Sequence, residues 1–540
     1  MILRDNAKPS RLAALVAIIL GFTAVGCQST DEPAPSASAP SSDAAQAAPT
    51  TATTAAATGS LVVPTSVADA MAANLSPKSA GSPSANVLSL VLDSSSLPRG
   101  VNRTGDDITI VTSGTYRVSG SLSGRLIINC PDGVLYLIFD GVSITSTQVG
   151  ALVVEEGDAL TIELASGSTN LISDAAATTA PGEDDPNAAI HSKADLYIIG
   201  SGSLQVNANL DGIASTDGMV LDLSGSINVT AGDDALRGKD YLVVANGTLL
   251  LNAVGDALKS TQDTDPERGY VLVSGGNITA TAGTDCIDAQ TDALISGGTL
   301  KLSCGDDGLH GEVLLVIDGD STNIDITKSY EGLEAPVIAI YGGVTSVVSS
   351  DDGLNAAGGD GSDAPGVPGV GDPGTRPGGG GRPGGGGAGG GAGGDGDPSK
   401  FFLLIAGGEL TVDAEGDGLD SNGYASITGG RTIVYGPVRS GNGALDSSGL
   451  TMTGGELIAL GTSSMAEAPE TGDQPWLGAV FGASAGSTIT ITDSTDSTLK
   501  WEFTTKKDSQ CMVFSNSDLV AGREYSISLD GTELGALAAQ

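Results

Sequence analysis

From Asp211 onward the chain repeats one short pattern: an acidic residue, a small residue, then Leu or Ile, usually followed by a polar or charged side chain. The copies are Asp211-Gly212-Ile213, Asp234-Ala235-Leu236-Arg237, Asp256-Ala257-Leu258-Lys259, Asp285-Cys286-Ile287-Asp288, Asp307-Gly308-Leu309-His310, Glu331-Gly332-Leu333-Glu334, Asp352-Gly353-Leu354-Asn355 and Asp417-Gly418-Leu419-Asp420. Acid-to-acid intervals are 23, 22, 29, 22, 24, 21 and 65, and the two long ones contain visible insertions. The others match one coil of a parallel β-helix, a unit that buries its apolar face only by stacking on its neighbours. A second phrase alternates with the first: Ser274-Gly275-Gly276, Ser296-Gly297-Gly298, Tyr341-Gly342-Gly343, Ala406-Gly407-Gly408, Thr428-Gly429-Gly430 and Thr453-Gly454-Gly455 each precede a strand-like run. Paired glycines mark a corner that needs positive φ or a close backbone approach.

Each coil therefore reads strand, Gly-Gly corner, strand, acidic turn, Leu/Ile strand. Upstream, 108–111, 115–118, 125–129 and 134–139 alternate or run apolar as short strands do. Asn187 to Lys193 is an early coil in which Ala188 replaces the acid, and Asn442 leads a late copy ending at Asp446. Roughly a dozen coils at about 4.8 Å each predict a rod on the order of 60 Å long. After about Glu470 the strands 488–491, 498–503, 512–514 and 525–529 alternate differently, and both Trp residues lie nearby. They predict an antiparallel β cap over the open end of the solenoid. The expected fold is all-β: a parallel β-helix over 88–470 and a cap over 471–540. The loop 261–268 and the Gly/Pro-rich stretch 358–398 interrupt the stack, and the latter lacks material for a packed element.

Composition agrees with this. Aromatics are 4% against 80 glycines, which suits a narrow interior of Val, Ile, Leu and Ala better than a globular core. The 65 acidic and 24 basic residues give a formal charge of −41, which argues against a nucleic-acid partner. Residues 1–27 have a basic start, a short apolar run and Ala24-Val25-Gly26-Cys27, the layout of a lipoprotein signal with Cys27 as the lipidated residue. The Ala/Ser/Thr/Pro-rich stretch 28–87 reads as a flexible tether. An exported, membrane-anchored lipoprotein is thus expected. Cys130, Cys286, Cys304 and Cys511 form no CxxC pair, and the 18-residue separation of Cys286 and Cys304, short of one repeat, does not by itself assert a disulfide. With only His191 and His310, a multi-histidine metal centre is excluded.

Stacking converts the phrase into columns. The Leu or Ile points inward, so the following residue points outward, giving Ala214, Arg237, Lys259, Asp288, His310, Glu334, Asn355 and Asp420. The turn acids are often doubled, as in Asp233-Asp234, Asp306-Asp307 and Asp351-Asp352. Carboxylates brought this close repel unless they share a cation, and calcium, with its flexible oxygen shell, is the natural one. The plainer alternative is that Asp and Gly simply suit tight turns.

The run from about Ile108 to Leu460, with Ile190-His191-Ser192-Lys193-Ala194-Asp195-Leu196, Leu236-Arg237-Gly238-Lys239-Asp240, Leu258-Lys259-Ser260-Thr261 and the Gly-Gly corners, resembles the bacterial carbohydrate-binding β-helix family. That resemblance implies a right-handed parallel β-helix similar to polysaccharide lyases, calcium in the acidic turns, and affinity for cellulose and acidic wall sugars such as polygalacturonate. It makes Asp233, Asp234, Asp256, Asp285, Asp306, Asp307, Asp351, Asp352 and Asp417 metal candidates. To these the residue pattern adds Asp288 and Asp420, each an acid three positions after another. Arg237, Lys259 and His310 in the outward column are the candidate sugar contacts. The expected function is a non-catalytic, calcium-binding, surface-anchored polysaccharide-binding lipoprotein, a monomer. A calcium-dependent pectate-type lyase with Lys259 or Arg237 as base, and a purely structural or adhesive rod, remain alternatives.

Overall fold

The computed structural model describes residues 61–131, 133–175, 185–357 and 397–540. It is a parallel β-solenoid of about 14 turns followed by antiparallel strands. One coil consists of Ile287–Ala289, Asp292–Ile295 and Thr299–Ser303. The next repeats them as Leu309–Gly311, Leu314–Ile317 and Asn323–Ser329. Registers such as Leu294↔Val316 and Leu300↔Ile324 stack equivalent positions directly. The phrase residues Ile213, Leu236, Leu258, Ile287, Leu309, Leu333 and Leu354 are all fully buried in one continuous core. Burying each such side chain contributes about 1.5–3 kcal/mol, so the stack of coils carries the stability.

The small residue of the phrase is required by the neighbouring coil. Gly308 donates its N–H to the Glu331 carbonyl at 3.0 Å, and a Cβ there would lie 2.4 Å from the Gly332 oxygen. The Gly-Gly corners meet both of their expected demands. Gly298 has φ +98°, while a Cβ on Gly297 would sit 2.5 Å from the Ser274 carbonyl.

The long 65-residue interval does not disturb the stack: Val337–Ile340 pairs with Phe402–Ile405, and Leu354–Ala356 pairs with the start of Leu419–Tyr435. Most of the Gly/Pro-rich stretch, 358–396, lies outside the described residues. At the far end, Trp476–Ala483 and Ser509–Ser515 continue antiparallel from the last coil. A four-stranded antiparallel sheet closes over them, its Ile489, Ile491, Tyr525 and Ile527 sharing a core with Leu477 and Phe514 of those strands.

Two features depart from the sequence reading. The signal and Cys27 lie outside the described residues, as does 28–60, but 61–86 is not a free tether. It runs along the flank of the solenoid, with a short helix Val67–Met71 capped by Ser66. Val67 and Ala70 pack on Leu294 and Val316. Tyr270 donates its hydroxyl to the Leu75 carbonyl at 2.7 Å, Tyr341 to that of Pro64, and Lys78 pairs with the buried Asp195. Its few apolar residues suffice because the solenoid supplies the rest of the surface. The second departure is that Cys286 and Cys304 are disulfide-bonded, with Cα atoms 5.6 Å apart. Cys286 follows one turn acid and Cys304 precedes the next, so stacking brings together residues whose separation falls short of a full repeat.

Replacing Gly298 by Ala should destabilise the protein by about 1–3 kcal/mol, because an L side chain there is both strained and crowded. Urea unfolding measures this, and an unchanged midpoint would contradict the corner geometry.

Candidate metal and glycan site

Two adjacent columns of polar side chains run up one edge of the solenoid. The first holds the turn acids. Their carboxylates cap the following coil: Asp256 donates its backbone N–H to Asp234 Oδ1 at 2.9 Å, Asp285 to Asp256 Oδ1 at 2.8 Å, Asp307 to Asp285 Oδ1 at 2.7 Å, and Asp417 to Asp352 Oδ1 at 2.6 Å. Among the described residues this ladder skips Asp307 and Glu331. One oxygen of each laddered acid thus serves the turn, and the other faces the second column. The leading acids Asp233 and Asp306 are exposed, and Asp351 is half-buried.

The second column is the outward one, and strand register places its members in direct succession: His191, Ala214, Arg237, Lys259, Asp288, His310, Glu334, Asn355, Asp420 and Asp446. These side chains are recessed rather than freely exposed. Along the column the charge changes sign. Arg237 holds Asp211 at 2.6 Å and reaches Asp234 at 4.0 Å. Lys259 pairs with Asp256 and, at 2.8 Å, with Asp288. The two predicted sugar contacts Arg237 and Lys259 are therefore engaged internally with Asp211, Asp256 and Asp288, while ligand atoms of Asp211, Asp233 and Asp234 also lie within 4.8 Å of one another.

Beyond Asp288 the compensation stops. Among the described residues no Lys or Arg forms an ion pair with Asp285, Asp307, Glu331, Glu334, Asp352, Asp417 or Asp420. Ligand atoms of Asp285, Asp288 and His310 all lie within 4.8 Å of one another, as do those of Asp307, His310 and Glu334, and those of Asp285, Asp306 and Asp307. His310 thus joins two acidic groups, and its Nδ1 is 3.8 Å from Asp288. Burial, reinforced by Asp256, Asp307 and Asp288, pushes Asp285 up to about 9. Burial and Glu334 push Asp307 up to about 9. Burial with neighbouring acids raises Glu331 and Asp420 to about 8, Glu334 and Asp417 to about 7, and Asp352 to about 6. Each would revert to an ordinary carboxylate beside a cation.

Two buried polar atoms point the same way. Asn355 gives its amide N–H to Glu331 at 2.8 Å, which leaves its Oδ1 buried without a donor, and His310 Nε2 is likewise buried and unpaired. Neutral acceptors buried without partners among carboxylates fit a cation, and an oxygen-rich set with flexible geometry fits calcium. Sequence reasoning placed Glu331, Glu334 and Asn355 in the repeat but did not select them as ligands. Their position in the phrase, one coil from Asp307 and Asp352, was the available signal.

Residues 104–361 match the family model described as "Carbohydrate-binding domain-containing protein". A protein of that description from Acetivibrio thermocellus is 30% identical over 187 residues, covering 34% of this chain and 65% of the relative, so the match spans slightly less than two thirds of that relative's length. A solved structure of a polysaccharide lyase-like protein from C. thermocellum, as a gadolinium derivative, is 28% identical with a TM-score of 0.41, covering 43% of this chain and 96% of that one.

The raised acids make the metal-free protein pH-sensitive in a defined direction. Unfolded carboxylates titrate near 4, whereas Asp285 and Asp307 hold protons to about 9 in the fold. Their contribution to stability is complete below about pH 4 and is lost progressively as pH rises from about 4 to about 9. In excess chelator the melting temperature should fall steadily from pH 5 to pH 9. Asp285→Asn should raise the free energy of unfolding at pH 9 by at least ~1 kcal/mol. A flat profile would mean that these carboxylates are not packed as described.

Proposed function

We propose that this chain, whose residues 104–361 match the carbohydrate-binding domain family model, is a non-catalytic polysaccharide-binding protein whose acidic column holds calcium. The observation that carries this reading is the uncompensated end of the column, where recessed Asp, Glu and Asn oxygens converge and, among the described residues, no Lys or Arg pairs with them. Asp285, Asp288, Asp306, Asp307 and Glu334 would hold one ion together with His310. Glu331, Asp352, Asn355, Asp417 and Asp420 supply the oxygen donors for another, with Asp351 on the surface beside them. Bound calcium supplies positive charge that a sugar carboxylate can share.

This resolves how a chain of charge −41 binds an acidic glycan such as polygalacturonate. The partly exposed rim carboxylates Asp306 and Asp351 lie where an ion can face outward. The lipoprotein-like pattern of residues 1–27 supports anchoring at a bacterial membrane through Cys27, from which the solenoid would present its columns to the surroundings. The lyase alternative is disfavoured by a specific observation. Lys259, recessed between Asp256 and Asp288, is held strongly protonated, and Arg237 is committed to an ion pair with Asp211, so neither suits a general base.

Binding to polygalacturonate should require calcium and fall at least tenfold in EDTA, in Asp285→Asn and in Asp420→Asn, as read by affinity electrophoresis. The reading fails if chelation leaves binding unchanged. Formation of unsaturated uronate product with calcium present would instead establish the lyase.

A further inference from the structure

A different face of the solenoid takes no part in the acidic site. It is built from Thr169–Ser173, Ser203–Asn207, the second halves of Gly218–Ala231 and Tyr241–Ala253, Asn277–Thr281 and Thr299–Ser303. These strands stack in unbroken register, Thr169↔Ser203↔Ser226↔Thr248↔Asn277↔Thr299. Alternate residues such as Ile227, Leu249 and Ile278 fill the core, and those between them face solvent. The central outward column reads Leu171, Gln205, Asn228, Leu250, Thr279 and Lys301. The two flanking columns are entirely Ser, Thr and Asn. Lys301 is the single charged side chain on this face, and no carboxylate occurs on it, in a chain with 65 acidic residues. The neutrality has an edge: in the coils beyond, the same columns carry Asp325, Glu409 and Glu456.

We propose that this face is a second carbohydrate surface, which takes a neutral polysaccharide without any cation. The proposal rests on the reading that the chain binds polysaccharide, but uses none of the residues assigned to calcium. Neutral sugars offer hydroxyls that donate and accept, and short Ser, Thr and Asn side chains answer both without the cost of desolvating a charge. The side chains of Asn228, Thr230, Thr248, Thr279 and Thr281 make no hydrogen bond within the described protein, so their polar groups are free for a ligand. The sheet fixes them at about 4.8 Å along the rod and about 6.7 Å along each strand, a flat patch roughly 25 Å by 13 Å. Side chains this short lose little entropy on binding, and many weak contacts on a rigid array act together on a polymer. Acidic glycans lack a counterpart here, since one lysine is the sole cation and nothing would hold calcium. A protein partner is a poor fit as well, because interface cores favour aromatic and other large apolar residues and this face offers only Leu171 and Leu250.

The test is a depletion assay of the whole chain on microcrystalline cellulose in excess EDTA, with calcium-dependent polygalacturonate binding measured in parallel. The wild-type protein should bind cellulose in EDTA. Thr248→Glu/Thr279→Glu, at exposed positions, should weaken that binding about tenfold and leave polygalacturonate binding intact. The near-isosteric Asn228→Asp should act in the same direction without disturbing the fold. The proposal is overturned if both variants bind cellulose like the wild type, or if cellulose binding requires calcium. Failure on cellulose with polygalacturonate binding retained removes this face alone, whereas failure on both glycans removes the polysaccharide reading beneath it.

Discussion

In-register hydrogen bonding between successive coils is the constraint on which everything else depends. Residues one repeat apart are held about 4.8 Å from each other, so a preference at one sequence position becomes a continuous column in space. For the phrase leucines the result is a core. For the turn acids it is a row of carboxylates that must be neutralised, hydrogen-bonded or protonated. In the coils where the ladder runs, one carboxylate oxygen serves it, as where Asp285 accepts the N–H of Asp307. The other oxygen is left to the neighbouring column.

That column divides the rod into two electrostatic halves. Near its start Arg237 and Lys259 occupy the outward position and bridge acids of adjacent coils. From Asp288 onward the same position holds Asp, His, Glu, Asn and Asp, and the buried acids beside them rise well above the ordinary carboxylate range. The backbone frame is the same in both halves, so the difference is one of side-chain chemistry. Where the chain supplies its own ammonium or guanidinium group the acids are paired internally, and further along they are not, which is the contrast that the proposed cation would answer.

The fold was largely legible because solenoids write their period into the sequence. The phrase gave the coil length, the paired glycines gave the corner, and the pairing of Val337–Ile340 with Phe402–Ile405 agrees with the reading that the coil resumes at Phe401 after the insertion. The flanking strap was illegible, because Val67 and Ala70 are weak signals within an Ala/Ser/Thr-rich run, and the tyrosines that hold it, such as Tyr270, lie outside the phrase. The disulfide was missed for a geometric reason: the cysteines sit on opposite sides of stacked turns, so 18 residues suffice where a full repeat was expected. The internal engagement of Arg237 and Lys259 was partly legible, since each follows a turn acid by three residues. The outward column was found, but its recessed position depends on packing that period alone does not reveal.

The choice between turn-forming and metal-binding aspartates is less exclusive than the sequence suggests. A carboxylate has two oxygens, and the turn requires one. In the coils from Asp211 to Asp256 the second oxygen meets an Arg or Lys, so the turn and the ion pair together account for the residue. At Asp307 and Glu331 neither condition holds among the described residues: the ladder skips them, no Lys or Arg pairs with them, and Asn355 Oδ1 lies buried nearby without a donor. A selection for turns alone would have no reason to place Glu, a poorer turn residue than Asp, at 331 and to follow it with Glu334. The break in the ladder, more than the acidity of the chain, is the observation on which the proposal of a cation in this segment rests.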